Sequence, residues 1–374
     1  MANTAALHTP FRYDYVGSFL RPAALKRARA DFAAGAIGAA QLKKAEDEAI
    51  TALVARQKAA GYHVITDGEF RRATWHLDFM WGFDGVGHCQ TKTGLPFHGE
   101  AAMIDDTYLT GKVSVGAHPF VEHFRFVKAL EDDNTVAKMT IPAPAQFLEQ
   151  MIMPFALGNT RRFYENTDEL VTDIAAGYQK FIADLYAAGC RNLQLDDCSW
   201  GMLVDPKAPA LFGTDRAGLQ SIREQLLAIN NLALEGKPDD LVVNTHVCRG
   251  NFHSTYASSG AYDSVAQELF ARENVNAYYL EYDDERSGGF APLAAVSGDK
   301  KVVLGLITTK SPVLEDKDAV IARIHQAAQY LPLDRLCLSP QCGFASCEIG
   351  NKLTEEQQWE KLTLVKEIAE EVWG

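Results

Sequence analysis

Long apolar runs are missing from this sequence. None reaches the roughly 18–20 residues that a bilayer-spanning helix needs, which argues against a membrane protein. Met1 to Tyr13 lacks the apolar core of a signal peptide, so the expected compartment is the cytoplasm. Positive charge is in deficit: Lys plus Arg is 36 against 49 for Asp plus Glu, a net charge of −13. This balance, without a visible basic stripe, argues against nucleic acid as the main partner. The cysteines number seven, an odd count scattered along the chain, which does not suggest a disulfide framework. In a reducing compartment the remaining roles are buried thiol, nucleophile and metal ligand. No G-x-G-x-x-G follows the first strand-like run, which counts against a doubly wound dinucleotide-binding sheet. Internal repeats and low-complexity linkers are also lacking, so one domain over residues 1–374 is expected.

What is present is an alternation of short β-rich runs with helical patterns. The candidate strands are Tyr13–Phe19, His63–Phe70, Ala137–Ile141, Asn192–Asp197, Leu241–Cys248, Ala277–Tyr282, Lys301–Thr308 and Arg335–Ser339. Several are rich in Val, Ile, Leu and Tyr, as strands buried on both faces are. Helical patterns lie over 22–60 (one helix or two), 167–188, 217–234, 263–272, 316–330 and 354–372. Few residues remain for a helix between Ala277 and Lys301. This order predicts a parallel (β/α)8 TIM barrel. Residues 73–115, with six Gly or Pro before TYLTGKVSV, fit neither element and read as an insertion after the second strand, containing a hairpin. Such an insertion would serve as a lid or an oligomer contact, so a homo-oligomer is an open expectation.

Barrels of this kind carry their active sites at the C-terminal ends of the strands. The residues there are Ser18; Asp67 and Glu69; Asp196 and Asp197; His246 and Cys248; Glu281; Thr308 to Lys310; and Cys342. Residues two apart on a strand share a face, so His246 and Cys248 can converge on one point. Imidazole and thiolate are preferred zinc ligands. Cys342 lies in Ser339-Pro340-Gln341-Cys342-Gly343, where proline and glycine end a strand, and Glu281 ends the apolar run AYYLE. His, Cys and Cys with a carboxylate or an open position is the set of a catalytic Zn²⁺.

Plainer readings stand beside these. Cys337 and Cys190 fit a packed core. Cys198 and Cys347 are possible displaced ligands, but neither is read as lying at a comparable strand end. Glu281 precedes Asp283, Asp284 and Glu285 and could open a solvated acidic run. Asp196-Asp197 could be helix caps, and Glu69 with Arg71 and Arg72 a salt-bridged turn.

The H-x-C, strand-end Glu and P-x-C-G set resembles the catalytic barrel of cobalamin-independent methionine synthase. The likeness extends to Val16-Gly17-Ser18-Phe19, Asp67-Gly68-Glu69-Phe70 and Leu193-Gln194-Leu195-Asp196, in family order, and is greatest to short single-barrel members. The resemblance implies zinc-dependent methyl transfer to homocysteine, a 5-methyltetrahydropteroyltriglutamate–homocysteine S-methyltransferase-like activity that forms methionine. It carries the zinc ligands onto His246, Cys248, Glu281 and Cys342, and the homocysteine-binding groups onto Ser18, Glu69 and Asp196. Two departures touch the methyl donor, methyltetrahydrofolate or another carrier. Lys310, in Thr309-Lys310-Ser311-Pro312, stands where the family has a proton-donating His, and the folate-stacking tryptophan has no match in Ile141 to Gln146. An enzyme acting on a coenzyme M-type thiol and a non-catalytic zinc- or thiol-binding barrel remain the alternatives. A metal-free porphyrinogen decarboxylase shares the barrel type but leaves His246, Cys248 and Cys342 without a role.

Overall fold

A computed structural model describes residues 7–374. Residues 1–6, part of the leader reading above, lie outside the described residues. The strands in chain order are β1 (Val64–Ile65), β2 (Asp84–Cys89), β3 (Asp106–Ser114), β4 (Val136–Ala137), β5 (Met139–Pro142), β6 (Asn192–Asp197), β7 (Val242–Val247), β8 (Ala277–Glu281), β9 (Lys301–Ile307) and β10 (Leu336–Pro340). A further two-residue pair joins Leu95–Pro96 to Ala101–Ala102.

β5 to β10 form a six-stranded parallel sheet in chain order. Nearly every position of these strands is buried, which explains their run-like rather than alternating composition. β4 pairs with β1, Val64 opposite Val136. β4 and β5 are thus one extended stretch that serves β1 on one side and β6 on the other. It is broken at Lys138, whose ammonium lies 3.0 Å from the buried Asp14 carboxylate.

The first expected strand, Tyr13–Phe19, is not a regular strand. Only Tyr13 makes a parallel bridge, to Leu338 of β10, with Asp14 N donating to Leu338 O at 3.0 Å. Towards β1 there are single bonds: Thr66 Oγ1 to Gly17 O at 2.8 Å, and Phe19 N to Gly68 O at 3.1 Å. The cause is local. The Asp14 carboxylate accepts from Tyr15 N at 2.7 Å and Phe11 N at 3.2 Å, which diverts backbone donors from a ladder.

The helices Thr167–Ala187, Arg216–Ala233, Lys317–Ala327 and Glu355–Trp373 match the sequence pattern. Asn166, Asp215, Asp316 and Thr354 cap their N-termini with side-chain oxygens. The 22–60 pattern is two helices, Ala23–Ala33 and Ala39–Ala59, parted near Gly35 and Gly38. Between β8 and β9 there are only 3₁₀ turns, as the shortage of residues implied. Two further helices outside the sequence pattern, Pro144–Ile152 and Pro154–Thr160, each open with proline at the first helical position. Within 73–115, β2 and β3 pair as an antiparallel hairpin. No helix among the described residues is long and apolar enough to cross a membrane.

Candidate metal and thiol site

Parallel register brings the strand ends level. Asp196 of β6 faces His246 of β7, His246 faces Tyr279 of β8, and Glu281 faces Gly305 of β9. Cys248 follows β7 directly, on the same side as His246. Cys342 lies two residues beyond β10. The structure brings His246, Cys248, Glu281 and Cys342 together, with one ligand atom of each inside a 4.8 Å cluster, all four buried.

The donor chemistry of this quartet fits a metal ion. His246 Nδ1 lies 3.1 Å from Tyr279 O, so Nδ1–H donates there and Nε2 carries the lone pair. Nε2 is buried with no partner. The Cys248 and Cys342 sulfurs are 3.7 Å apart. As free thiols both are held well above the usual thiol value, Cys248 first by its hydrogen bond with Cys198, Cys342 first by its hydrogen bond with Cys248, and each also by burial. Two buried thiols beside an orphaned imidazole nitrogen gain little from one another, whereas a soft divalent cation stabilises all three as ligands. Gly250 N donates to Cys248 Sγ at 3.3 Å, a contact that suits a thiolate.

Glu281 is fully buried, so the reading of it as a solvated acidic residue is excluded. Oε1 accepts from Arg249 N at 2.9 Å and Oε2 from Arg286 Nη2 at 2.8 Å. Burial alone would raise its carboxyl, but the positive charges of Lys310, Arg286 and Arg249 together hold it well below the usual range. The Lys310 ammonium nitrogen is itself buried without a partner.

A small cavity opens beside the cluster. Ser18, Glu69, Asp196, His246, Cys248 and Cys342 all contribute to its wall. Glu69 sits in left-handed backbone at φ +62°, rare for a side-chain-bearing residue. Asp67 Oδ1 accepts from Glu69 N at 2.8 Å and Arg21 Nη2 donates to Glu69 O at 2.7 Å, which locks this conformation. Glu69 Oε1 accepts from Thr140 Oγ1 at 3.1 Å and lies 3.3 Å from Arg72; Oε2 is buried without a partner. Asp196 accepts from Gln194 Nε2 at 2.7 Å. Burial raises both carboxyls to about 7, against the opposing pull of Arg72. Ser18 Oγ accepts from Ala345 N at 3.3 Å. A Cβ on Gly343 would lie 1.9 Å from that Oγ, so glycine is what lets the Cys342 loop close on Ser18.

The two aspartates divide the roles considered for them. Asp197 accepts from Ser199 N at 2.9 Å, as a turn cap does, while Asp196 faces the cavity. The arginines after Glu69 divide too: Arg71 pairs with Glu46 and Asp47 away from the site, and Arg72 with Glu69. Cys337 and Cys190 are buried core thiols, as expected. Cys198 corrects the sequence reading. It follows β6 directly, lines the cavity and neighbours Cys248. Its position one residue beyond Asp197 was the available signal. Trp75, Asn251 and Ser346 also line the cavity and had no sequence signal of their own.

The insertion reaches this region. His98 N donates to Tyr256 O at 2.8 Å, the His98 and Tyr256 rings stack at 5.1 Å, and Phe97 packs on Phe252. The tip therefore docks on the loop that follows Cys248.

Comparison with known proteins bears on this geometry. Residues 13–371 match the family described as cobalamin-independent synthase, catalytic domain. The uncharacterized protein YxjG of Bacillus subtilis (strain 168) is 44% identical over 367 residues, 97% of this chain and 95% of that protein. The methionine synthase of Saccharolobus solfataricus is 25% identical, over 88% of this chain and 86% of its own. A solved Listeria monocytogenes structure, provisionally assigned as a vitamin-B12 independent methionine synthase, superposes with a TM-score of 0.78 at 36% identity. It covers 99% of this chain and 100% of its own.

Proposed function

The chain belongs to the cobalamin-independent synthase catalytic-domain family, and from that premise we propose a zinc-dependent methyltransferase that methylates the thiol of homocysteine to form methionine. The observation that carries this reading is the adjacency of the four-residue ligand cluster to a cavity with two buried carboxylates. A metal site with only a structural role has no use for such a cavity. We also infer that the six-stranded sheet, the β1–β4 pair and the Tyr13–Phe19 segment together form one closed barrel domain.

His246, Cys248, Glu281 and Cys342 would hold the zinc. When bound, Zn²⁺ supplies the positive charge that keeps an incoming thiol deprotonated at neutral pH. Glu69 and Asp196 bind the α-ammonium of the acceptor, whose charge offsets their burial. Donors around Ser18 take its carboxylate. The acceptor sulfur attacks the methyl carbon; the bond from that carbon to the carrier breaks, and the carrier leaves with the electron pair and takes a proton. Lys310 belongs to the donor side, where its ammonium delivers that proton or binds an anionic group. The donor is methyltetrahydrofolate or another methyl carrier, and the protein acts in the cytoplasm.

A coenzyme M-type thiol carries a sulfonate and no ammonium, so Glu69 and Asp196 would oppose it. Acceptor selection tests the reading directly. Zinc-loaded protein should bind homocysteine far more tightly than 2-mercaptoethanesulfonate in titration calorimetry. The reverse order would overturn the acceptor assignment.

A further inference from the structure

Three loops meet over the ligand cluster: the one after Cys248, the one holding Lys310, and the one after Cys342. Two buried side-chain amides tie them together. Asn251 Nδ2 donates to Gly343 O at 2.7 Å, one residue after Cys342. Asn351 Nδ2 donates to Asn251 Oδ1 at 2.9 Å and to Thr309 O at 2.8 Å, one residue before Lys310. Asn351 Oδ1 accepts from Ser254 N at 2.8 Å. Thr309 Oγ1 closes the ring by donating to Gly343 O at 3.0 Å. A second tie runs one layer out. The Glu100 carboxylate, on the insertion tip, lies 2.9 Å from His253 and 2.8 Å from Lys352, the neighbours of this brace.

We propose that Asn251 and Asn351 are positioning residues that fix the separation of the Cys248 and Cys342 sulfurs by cross-tying the loops that carry them. This rests on the metal reading above. Loops at strand ends are otherwise the most mobile part of such a fold, and a metal centre requires ligand positions held within a fraction of an ångström. Asn251 ties the loop after Cys248 to the one after Cys342, and Asn351 ties that second loop both to the first and to the loop of Lys310, so a side chain without the amide releases one loop from the others. Backbone ladders cannot supply this tie, because the strands end before Cys248 and Cys342. The tie also reaches Lys310, so donor-side and metal-side groups are placed by the same two side chains.

The test uses full-length protein loaded with Co²⁺, whose visible absorption reports ligand geometry. Asn351→Ala and Asn251→Ala should shift the cobalt bands and release the metal to a chelator at least tenfold faster than wild type. Asn166→Ala, which removes a helix cap outside these three loops, should lower the melting temperature while leaving bands and release rate unchanged. If Asn351→Ala fails to fold, Asn351→Asp, which keeps the shape and loses the donor, takes its place with the same expected shift. Wild-type bands and release rates in the folded variants would overturn the positioning role alone. A wild type that takes up no cobalt would overturn the metal reading and this role with it.

Discussion

His246 Nδ1 is committed to the Tyr279 carbonyl at 3.1 Å, which leaves Nε2 as a buried lone pair beside Cys248 and Cys342. An imidazole nitrogen left this way is costly unless a cation or a proton meets it. The relationship predicts one tightly bound zinc per chain. Metal analysis of Cys248→Ser and Cys342→Ser should show strongly reduced zinc, with folding retained by circular dichroism. Full zinc in both variants would remove these cysteines from the ligand set.

The buried carboxylate pair predicts a distinctive pH dependence. Glu69 and Asp196 are raised to about 7 in the folded protein, mainly by burial. Their folded values exceed their unfolded ones, so the folded state holds extra protons between about pH 4 and pH 7. Their contribution to stability is therefore greatest below pH 4 and is lost as pH rises through 7. Binding of an ammonium group has the opposite sign, since it needs the ionised forms. Methionine, whose thioether does not titrate, should bind more tightly as pH rises from 5 to 8. Calorimetry at each pH checks this; a flat profile in wild type would contradict the assignment.

Asp196→Asn should cost methionine or homocysteine binding about 2–5 kcal/mol, the usual loss when one partner of a buried charge pair is removed. Zinc content should stay near wild type, because Asp196 is outside the ligand quartet. Parallel loss of zinc would make Asp196 part of the metal centre instead.

Gly343→Ala should damage the site through Ser18. The added Cβ meets Ser18 Oγ at 1.9 Å and Ser18 Cβ at 3.0 Å, so Ser18 or the Cys342 loop must shift. Overpacking of this kind costs about 1–3 kcal/mol of stability. The expected outcome is a lowered melting temperature with weaker acceptor binding. Unchanged binding would mean that Ser18 does not serve the acceptor.

Lys310 separates two donor-side roles. With methyltetrahydrofolate, whose leaving nitrogen needs a proton, Lys310→Met should lower turnover by roughly 10²–10⁴-fold if it is the acid. With a pre-activated methyl donor the loss should then be small. Equal losses with both donors indicate placement of the donor, and no loss with either removes Lys310 from the site.

Much of the site was legible because its signals are local. His246 and Cys248 share a face by strand period alone, and Cys342 and Glu281 sit where Pro, Gly or an acidic run ends a strand. The six-strand sheet was readable for the same reason, since β5 to β10 are apolar runs between helices with clear caps. The first strand misled because Asp14 takes up backbone donors through its side chain, which composition does not reveal. Cys198 carries no residue-type mark of a strand end, and only its place one residue beyond Asp197 puts it at the cavity. Asn251 and Asn351 stand 100 positions apart and ordinary in sequence, and their meeting is a product of loop packing alone.

The most direct test of the account is methionine formation by metal-stripped and zinc-restored protein. Each form is given homocysteine and, in turn, methyltetrahydrofolate and other methyl carriers, with methionine measured by mass. The account predicts methionine with at least one donor, only in the zinc-restored protein, and none from Cys248→Ser. Equal methionine yield from the stripped and restored proteins, or none from any donor with zinc in place, would contradict it.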